Sequence, residues 1–273
     1  MMKKDSWIAS PFMLWVVIFT VVPLAMVCWY AFTDSTGAFT LSNIEMIGSY
    51  WGYLKDSLVM GAVATIFCLL LGYPVAYVMS RANWVEQQTL MMLLMLPQWM
   101  NFLLRTYAWM TILENNGLIN TLLGKIGIGP FQMINTKGAI VLGMVYNFLP
   151  YMILPIYSVM EKIHGSLFEA ANDLGANRFE TLRRVVLPLS LPGVITGITM
   201  VFVPSVSTFV ISQMLGGGRN PLIGDVIERL FVGAAPNYNV GAALSLVLMV
   251  LILISMAVMK KFDDGEETGG LMM

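Results

Sequence analysis

Long stretches without a single charged side chain constrain this chain more than any motif in it. They run from Ser6 to Thr33, Ser57 to Ser80, Gln87 to Leu104, Gly138 to Met160, Val185 to Gly218 and Leu230 to Met259. Each reaches or passes the ~18 to 20 residues with which a helix crosses a ~30 Å hydrocarbon layer. Inside that layer only helices and closed barrels satisfy their own backbone. A chain of 273 residues that is 58% hydrophobic and 11% charged, with a mean hydropathy of +0.75, would as a water-soluble domain leave large apolar patches in solvent. The expected fold class is therefore an all-α integral membrane protein with about six transmembrane helices, forming a single domain over residues 1–273.

The first stretch follows Lys3 and Lys4, as a secretory signal would, but its apolar part far exceeds the ~7 to 15 residues of a signal core, so it reads as a retained anchor. Lys and Arg counts set the orientation. With the N-terminus inside, the cytoplasmic segments hold Lys3, Lys4, Arg81, Lys162, Arg178, Arg183, Arg184, Lys260 and Lys261. The outside keeps Lys55, Lys125, Lys137, Arg219 and Arg229. Both termini are thus expected in the cytoplasm of a multi-pass protein.

Several function classes lack their residues. Cys28 and Cys68 stand alone within apolar stretches, with no second cysteine or histidine at ligand spacing, and read as packing residues. His164 is the only histidine and falls in an inside loop, so no metal site or catalytic cluster is expected. The net charge of −1 gives nucleic acid no basic surface, and the acidic tail Asp263 to Glu267 reads as a solvated end. No G-x-x-x-x-G-K-[ST] run occurs, since Gly124-Lys125 is followed by Ile126, and so no nucleotide is expected on this chain.

The first inside connection, Arg81 to Glu86, is a tight turn, whereas the second, over residues 161–188, carries its own folding signals. Ser166 with Glu169 fits a capping box, and Leu167, Ala170, Ala171 and Leu174 recur at helical spacing. Gly175 can take the left-handed conformation that ends a helix, and Asn177 with Glu180 repeats the capping pattern for a second helix bearing Phe179, Leu182 and Val185. Pro188 and Pro192 then mark re-entry into the membrane. Such a hairpin either lies in the headgroup layer, held by Arg178, Arg183 and Arg184, or docks on another protein. The small side chains of Ala170 and Ala171 favour docking.

The spacing Glu169-Ala170-Ala171, three residues, Gly175, nine residues, Val185, one residue, Leu187-Pro188 resembles the EAA loop of ABC importer permeases. The likeness extends to Leu71-Gly72-Tyr73-Pro74, to the run from Leu96 to Tyr107 and to the run from Met214 to Gly224. In these it is most similar to the permeases of spermidine/putrescine transporters. The resemblance implies a type I ABC importer permease fold in which this chain forms half of a translocation pathway beside a second permease, a different chain. It also implies ABC ATPase subunits that hold the ATP and Mg, a substrate-binding protein that delivers from outside, and a location in the bacterial inner (plasma) membrane. Residues 161–188 would then contain the coupling helix, with Glu169, Ala170, Ala171, Gly175, Leu187 and Pro188 as its ATPase-coupling residues.

Pathway residues are less sharply marked. Arg105 directly follows the third stretch and is read as part of its span, where a charge costs ~2.5 to 3.5 kcal/mol on insertion scales; it either snorkels to the outer headgroups or pairs in the outer vestibule with Glu114 or the companion subunit. Polyamines carry protonated amines, which carboxylates and aromatic faces attract. Glu114, Asp225 and Glu228 are the outer carboxylates, and Trp99, Tyr107, Trp109 and Tyr146 the aromatic candidates. Asp225 and Glu228 would share a helix face, as substrate contacts or as a solvated pair beside Arg219 and Arg229. Pro204, with Ser205, Ser207 and Thr208, and Asn147 with Pro150, mark either kinks that open carbonyls to the pathway or kinks of helix packing. The outer segments hold only one more acid than base, so substrate rests on the resemblance, and an importer of sulfate, molybdate or iron remains open. A secondary transporter would need acidic residues deep in the spans, where none occurs.

Overall fold

The computed structural model describes residues 10–269, with side chains for 11–261. Lys3, Lys4 and the side chains of the acidic tail lie outside the described residues. Among the described residues five helices are long and apolar enough to cross a membrane: α1 (Pro11–Ala31), α2 (Ser42–Arg81), α6 (Lys137–Met160), α8 (Arg178–Ser207) and α11 (Tyr238–Gly269), the last over its Tyr238–Lys261 part. Between them lie α3 (Trp84–Trp99), α4 (Phe102–Leu113), α5 (Leu118–Lys125), α7 (Gly165–Asp173), α9 (Val210–Gly216) and α10 (Ile223–Val232).

The third apolar stretch departs from expectation. Gln87 to Leu104 is not one helix but the end of α3 and the start of α4, broken at Met100 and Asn101. Pro97 has no amide hydrogen to extend the ladder. Met100 is extended, with ψ 149°, and the Asn101 side chain accepts the amide hydrogens of Leu103 at 2.9 Å and Leu104 at 3.3 Å. A short amide inside an apolar run is a helix start, and it outweighs hydropathy here. The pair α3 and α4 takes the place of a single span. Two other boundaries also move: the fifth stretch divides at Thr208 into α8 and α9, and Leu230 belongs to α10, so the last span begins at Tyr238.

The chain divides into two compact units. The smaller holds residues up to Tyr53 with Val226–Leu253. In it Ala31, Ala242 and Ala243 form a small core, and Asn239 Nδ2 donates to the carbonyls of Tyr30 at 3.1 Å and Thr33 at 2.6 Å. Asn43 Nδ2 donates to the carbonyls of Ala31 and Thr33, closing the backbone groups left at the end of α1. Phe12, Trp15, Phe19 and Trp29 point out from α1, and Cys28 is exposed there too rather than packed.

The larger unit, Leu54–Asp225 with residues from Ile254, is organised around α6 and α8. Gly193 and Gly197 form a G-x-x-x-G pair on α8, and a Cβ at Gly193 would stand 2.8 Å from the Pro155 carbonyl oxygen. At Gly197 it would stand 3.1 Å from that of Met152. The two backbones approach where neither helix carries bulk, the usual means of joining helices in lipid. One core gathers Met79 of α2, Met152, Ile156 and Met160 of α6, and Val186 and Val201 of α8; Cys68 is fully buried in it. A second gathers Ala64, Leu113, Ile140, Met144, Ile211 and Leu215. Helix α8 runs unbroken through Pro204, and the Ser205 and Ser207 hydroxyls donate to the carbonyls of Val201 and Val203.

Candidate functional site

The hairpin over residues 161–188 begins where α6 ends. A turn at 161–164 leads to α7, which starts at Gly165 with His164 as its uncapped N-cap. The capping box expected from Ser166 and Glu169 does not form: the helix begins before Ser166, leaving Glu169 two residues past the position that a capping box needs. The end of α7 follows the sequence reading. Gly175 has φ +78°, its amide donates to the Asn172 carbonyl at 2.9 Å, and the Ala176 amide reaches the Ala171 carbonyl at 3.0 Å. Those two bonds make a Schellman motif, and the positive φ is what calls for glycine.

Asn177 and Glu180 form the second capping box, with Asn177 Oδ1 accepting the Glu180 amide at 2.9 Å and Glu180 Oε2 accepting the Asn177 amide at 3.0 Å. The second arm is not a separate helix ended by Pro188. It runs through a π-helical turn at Leu182–Val186 straight into the span, so the arm and α8 are one body. Pro188 lacks the amide hydrogen that the Arg184 carbonyl would take, and a wider turn just before it accommodates the loss.

Between the two arms lies a groove of about 440 Å³, lined by Leu167, Ala170, Leu174, Gly175, Arg184 and Val185 among others. Leu174 is 89% exposed and Phe179 70%. Glu169 and Ala170 face outward, Ala171 faces inward, and Leu187 and Pro188 present an exposed apolar shoulder at the root of α8.

The pathway candidates fall into separate groups. Arg105 is 5% exposed, so it does not snorkel, and its Nη1 donates to the Pro97 carbonyl at 2.6 Å rather than pairing with Glu114. Its guanidinium lies 5.7 Å from the Tyr146 ring, and Trp109 meets Tyr146 edge-on at 5.2 Å. Arg105 thus holds one of the carbonyls freed at the α3–α4 break. Gln98, which sequence reasoning did not single out, donates from Nε2 to the Asn147 carbonyl at 3.1 Å. Arg105 Nε and Asn147 Oδ1 are buried with no hydrogen-bond partner among the described residues.

Trp99 and Tyr107 are exposed, at 70% and 52%, and Glu114 is an exposed residue at the end of α4. Asp225 is 1% exposed, and its Oδ2 accepts the Leu222 amide at 2.6 Å while Ser57 Oγ accepts that of Ile223 at 2.7 Å. Asp225 therefore secures the start of α10, where a carboxylate also meets the positive helix end. Glu228, one turn on, is half-buried.

Residues 68–266 match the family described as "Binding-protein-dependent transport system inner membrane component". The chain is 38% identical over 250 residues to the spermidine/putrescine transport system permease protein PotB of Haemophilus influenzae, covering 88% of this chain and 87% of that one. It is 35% identical over 248 residues to the protein of the same description from Escherichia coli K12, covering 87% and 90%. Its fold is similar to a chain of a bacterial ABC transporter that imports the acidic polysaccharide alginate, with a TM-score of 0.81 and 15% identity over 96% of each chain. By its family match and its several apolar helices, this chain is a multi-pass membrane protein that belongs to the inner membrane components of binding-protein-dependent transport systems.

Proposed function

We propose that this chain is the permease subunit of an ATP-binding cassette importer for polyamines, forming half of the translocation pathway. The observation that carries the substrate is the 38% identity to a spermidine/putrescine permease along nearly the whole chain. The chain itself catalyses no reaction: ATP and Mg belong to partner ATPase subunits, and a binding protein delivers the substrate to this chain and a second permease. The Lys and Arg distribution supports both termini in the cytoplasm, with residues 161–188 on the same side.

The hairpin supports a direct mechanical role. Helix α7 is short, capped at its far end and joined to the membrane by two legs, the turn from α6 and the unbroken α8. A partner that seats α7 and closes displaces both legs together. The close approach at Gly193 and Gly197 makes α6 and α8 move as a unit, which is the rigid-body rocking that alternating access requires. Glu169, Ala170, Leu187 and Pro188 are the surface that meets the ATPase, while Ala171 and Gly175 shape the turn behind it. Arg105, Tyr146 and Trp109 shape the wall of the pathway at the α3–α4 break, and Trp99, Tyr107 and Glu114 are its accessible contacts.

Uptake by liposomes holding this chain with its ATPase, second permease and binding protein tests the substrate. Radiolabelled spermidine or putrescine should accumulate while sulfate and iron do not. Accumulation of another solute alone removes the polyamine reading and keeps the importer.

A further inference from the structure

A side-chain contact ties the hairpin to a third helix that the chain does not join to it directly. The Arg81 guanidinium lies 3.3 Å from the centroid of the Phe168 ring and 5.9 Å from that of Tyr77. Arg81 is the last residue of α2, and Phe168 belongs to α7. On α7 the neighbours Leu167 and Glu169 face outward, whereas Phe168 is half-buried and packs against the core that holds Met79, Met160 and Val186. One side of the ring is thus seated in the membrane unit, and a cation closes over it.

The turn that follows Arg81 is stiff. Asn83 and Glu86 form a reciprocal capping box that starts α3. Gln87 Nε2 donates to the Ala82 carbonyl at 3.1 Å, and Tyr157 of α6 donates its hydroxyl to Gln87 Oε1 at 3.3 Å. A displacement handed to Arg81 therefore passes into α3, whose other end is the break beside Gln98 and Arg105.

We propose that Arg81 is a positioning residue through which α7 grips the α2–α3 turn, so that the ATPase stroke drives the broken helix pair as well as α6 and α8. The inference rests on the coupling role of α7. A flat guanidinium over a ring transmits lateral motion of α7 without a covalent link, and the chemistry asks for a cation at 81 and a ring at 168.

The test compares Arg81→Gln, Arg81→Lys and Phe168→Leu in the reconstituted importer, reading spermidine transported per ATP hydrolysed and retention of the ATPase on purification. Arg81→Gln and Phe168→Leu should each lower the ratio about two- to five-fold, the factor that a cation–π contact at an exposed site supports. The ATPase should stay bound. Arg81→Lys, which keeps the cation, should recover most of the ratio, and the double variant should be no worse than either single one. An unchanged ratio in Arg81→Gln, or losses that multiply in the double variant, overturns the grip while leaving the coupling role standing. If the unsubstituted importer hydrolyses ATP without linked uptake, the coupling role falls and the grip with it.

Discussion

Gly175 shows how a single backbone angle can be read from sequence and then isolated by experiment. Its φ of +78° is a conformation that a β-branched residue enters at a cost of ~1 to 2 kcal/mol, and nothing lies within 4 Å of where a Cβ would stand. Gly175→Val should therefore cut uptake without a clash as the cause, and Gly175→Asn, which tolerates the left-handed region, should keep most of it. Equal uptake in Gly175→Val and the unsubstituted chain would contradict the role of the turn. Arg105 was legible only as a costly charge, because its partner is a carbonyl freed by a helix break that hydropathy hides. Replacing it in Arg105→Gln removes a charged donor from that carbonyl, a loss of about 1.5 to 3 kcal/mol. The thermal midpoint of the purified chain should fall, and an unchanged midpoint would mean that the bond carries no stability. Asp225 was ambiguous for a related reason: a carboxylate three residues into a helix caps it as readily as it binds a substrate, and sequence does not distinguish the two.

At the scale of elements, the apolar stretches located all five long helices, with α1 and α6 close to their expected ends, while α2 starts earlier, at Ser42, α11 starts later, at Tyr238, and α8 runs from Arg178 to Ser207. Helix α8 begins at Arg178, inside the hairpin, because the π-helical turn absorbs Pro188 instead of stopping there. The third stretch failed as a span because average hydropathy does not register one asparagine, and Asn101 divides it. The α6–α8 pair was also invisible to composition, since G-x-x-x-G within a run of Leu, Ile and Val becomes a contact only when a second helix lies on it. Gly197→Leu should overpack this contact by about 1 to 3 kcal/mol and lower the midpoint of the purified chain. Full tolerance of leucine would show that α6 and α8 do not move as one body.

For the whole molecule, the proposed role rests on 38% identity over 250 residues to a spermidine/putrescine permease and on the geometry of the hairpin. The Glu169 to Pro188 spacing made the hairpin legible because the parts that formed as expected are local, the capping box of Asn177 with Glu180 and the left-handed Gly175. The pathway was not, because its residues meet only through tertiary contacts such as Gln98 with Asn147. Leu174, 89% exposed in the groove between the two arms, isolates the interaction from the fold, since a substitution at so bare a site should change stability by no more than about 0.5 kcal/mol. The decisive measurement is ATP-driven spermidine uptake by the reconstituted importer carrying either the unsubstituted chain or Leu174→Asp. Uptake should require ATP in the first and vanish in the second, with the variant inserted at the same level and its ATPase released on purification. Uptake without ATP, or undiminished uptake in Leu174→Asp, would contradict coupling through this hairpin.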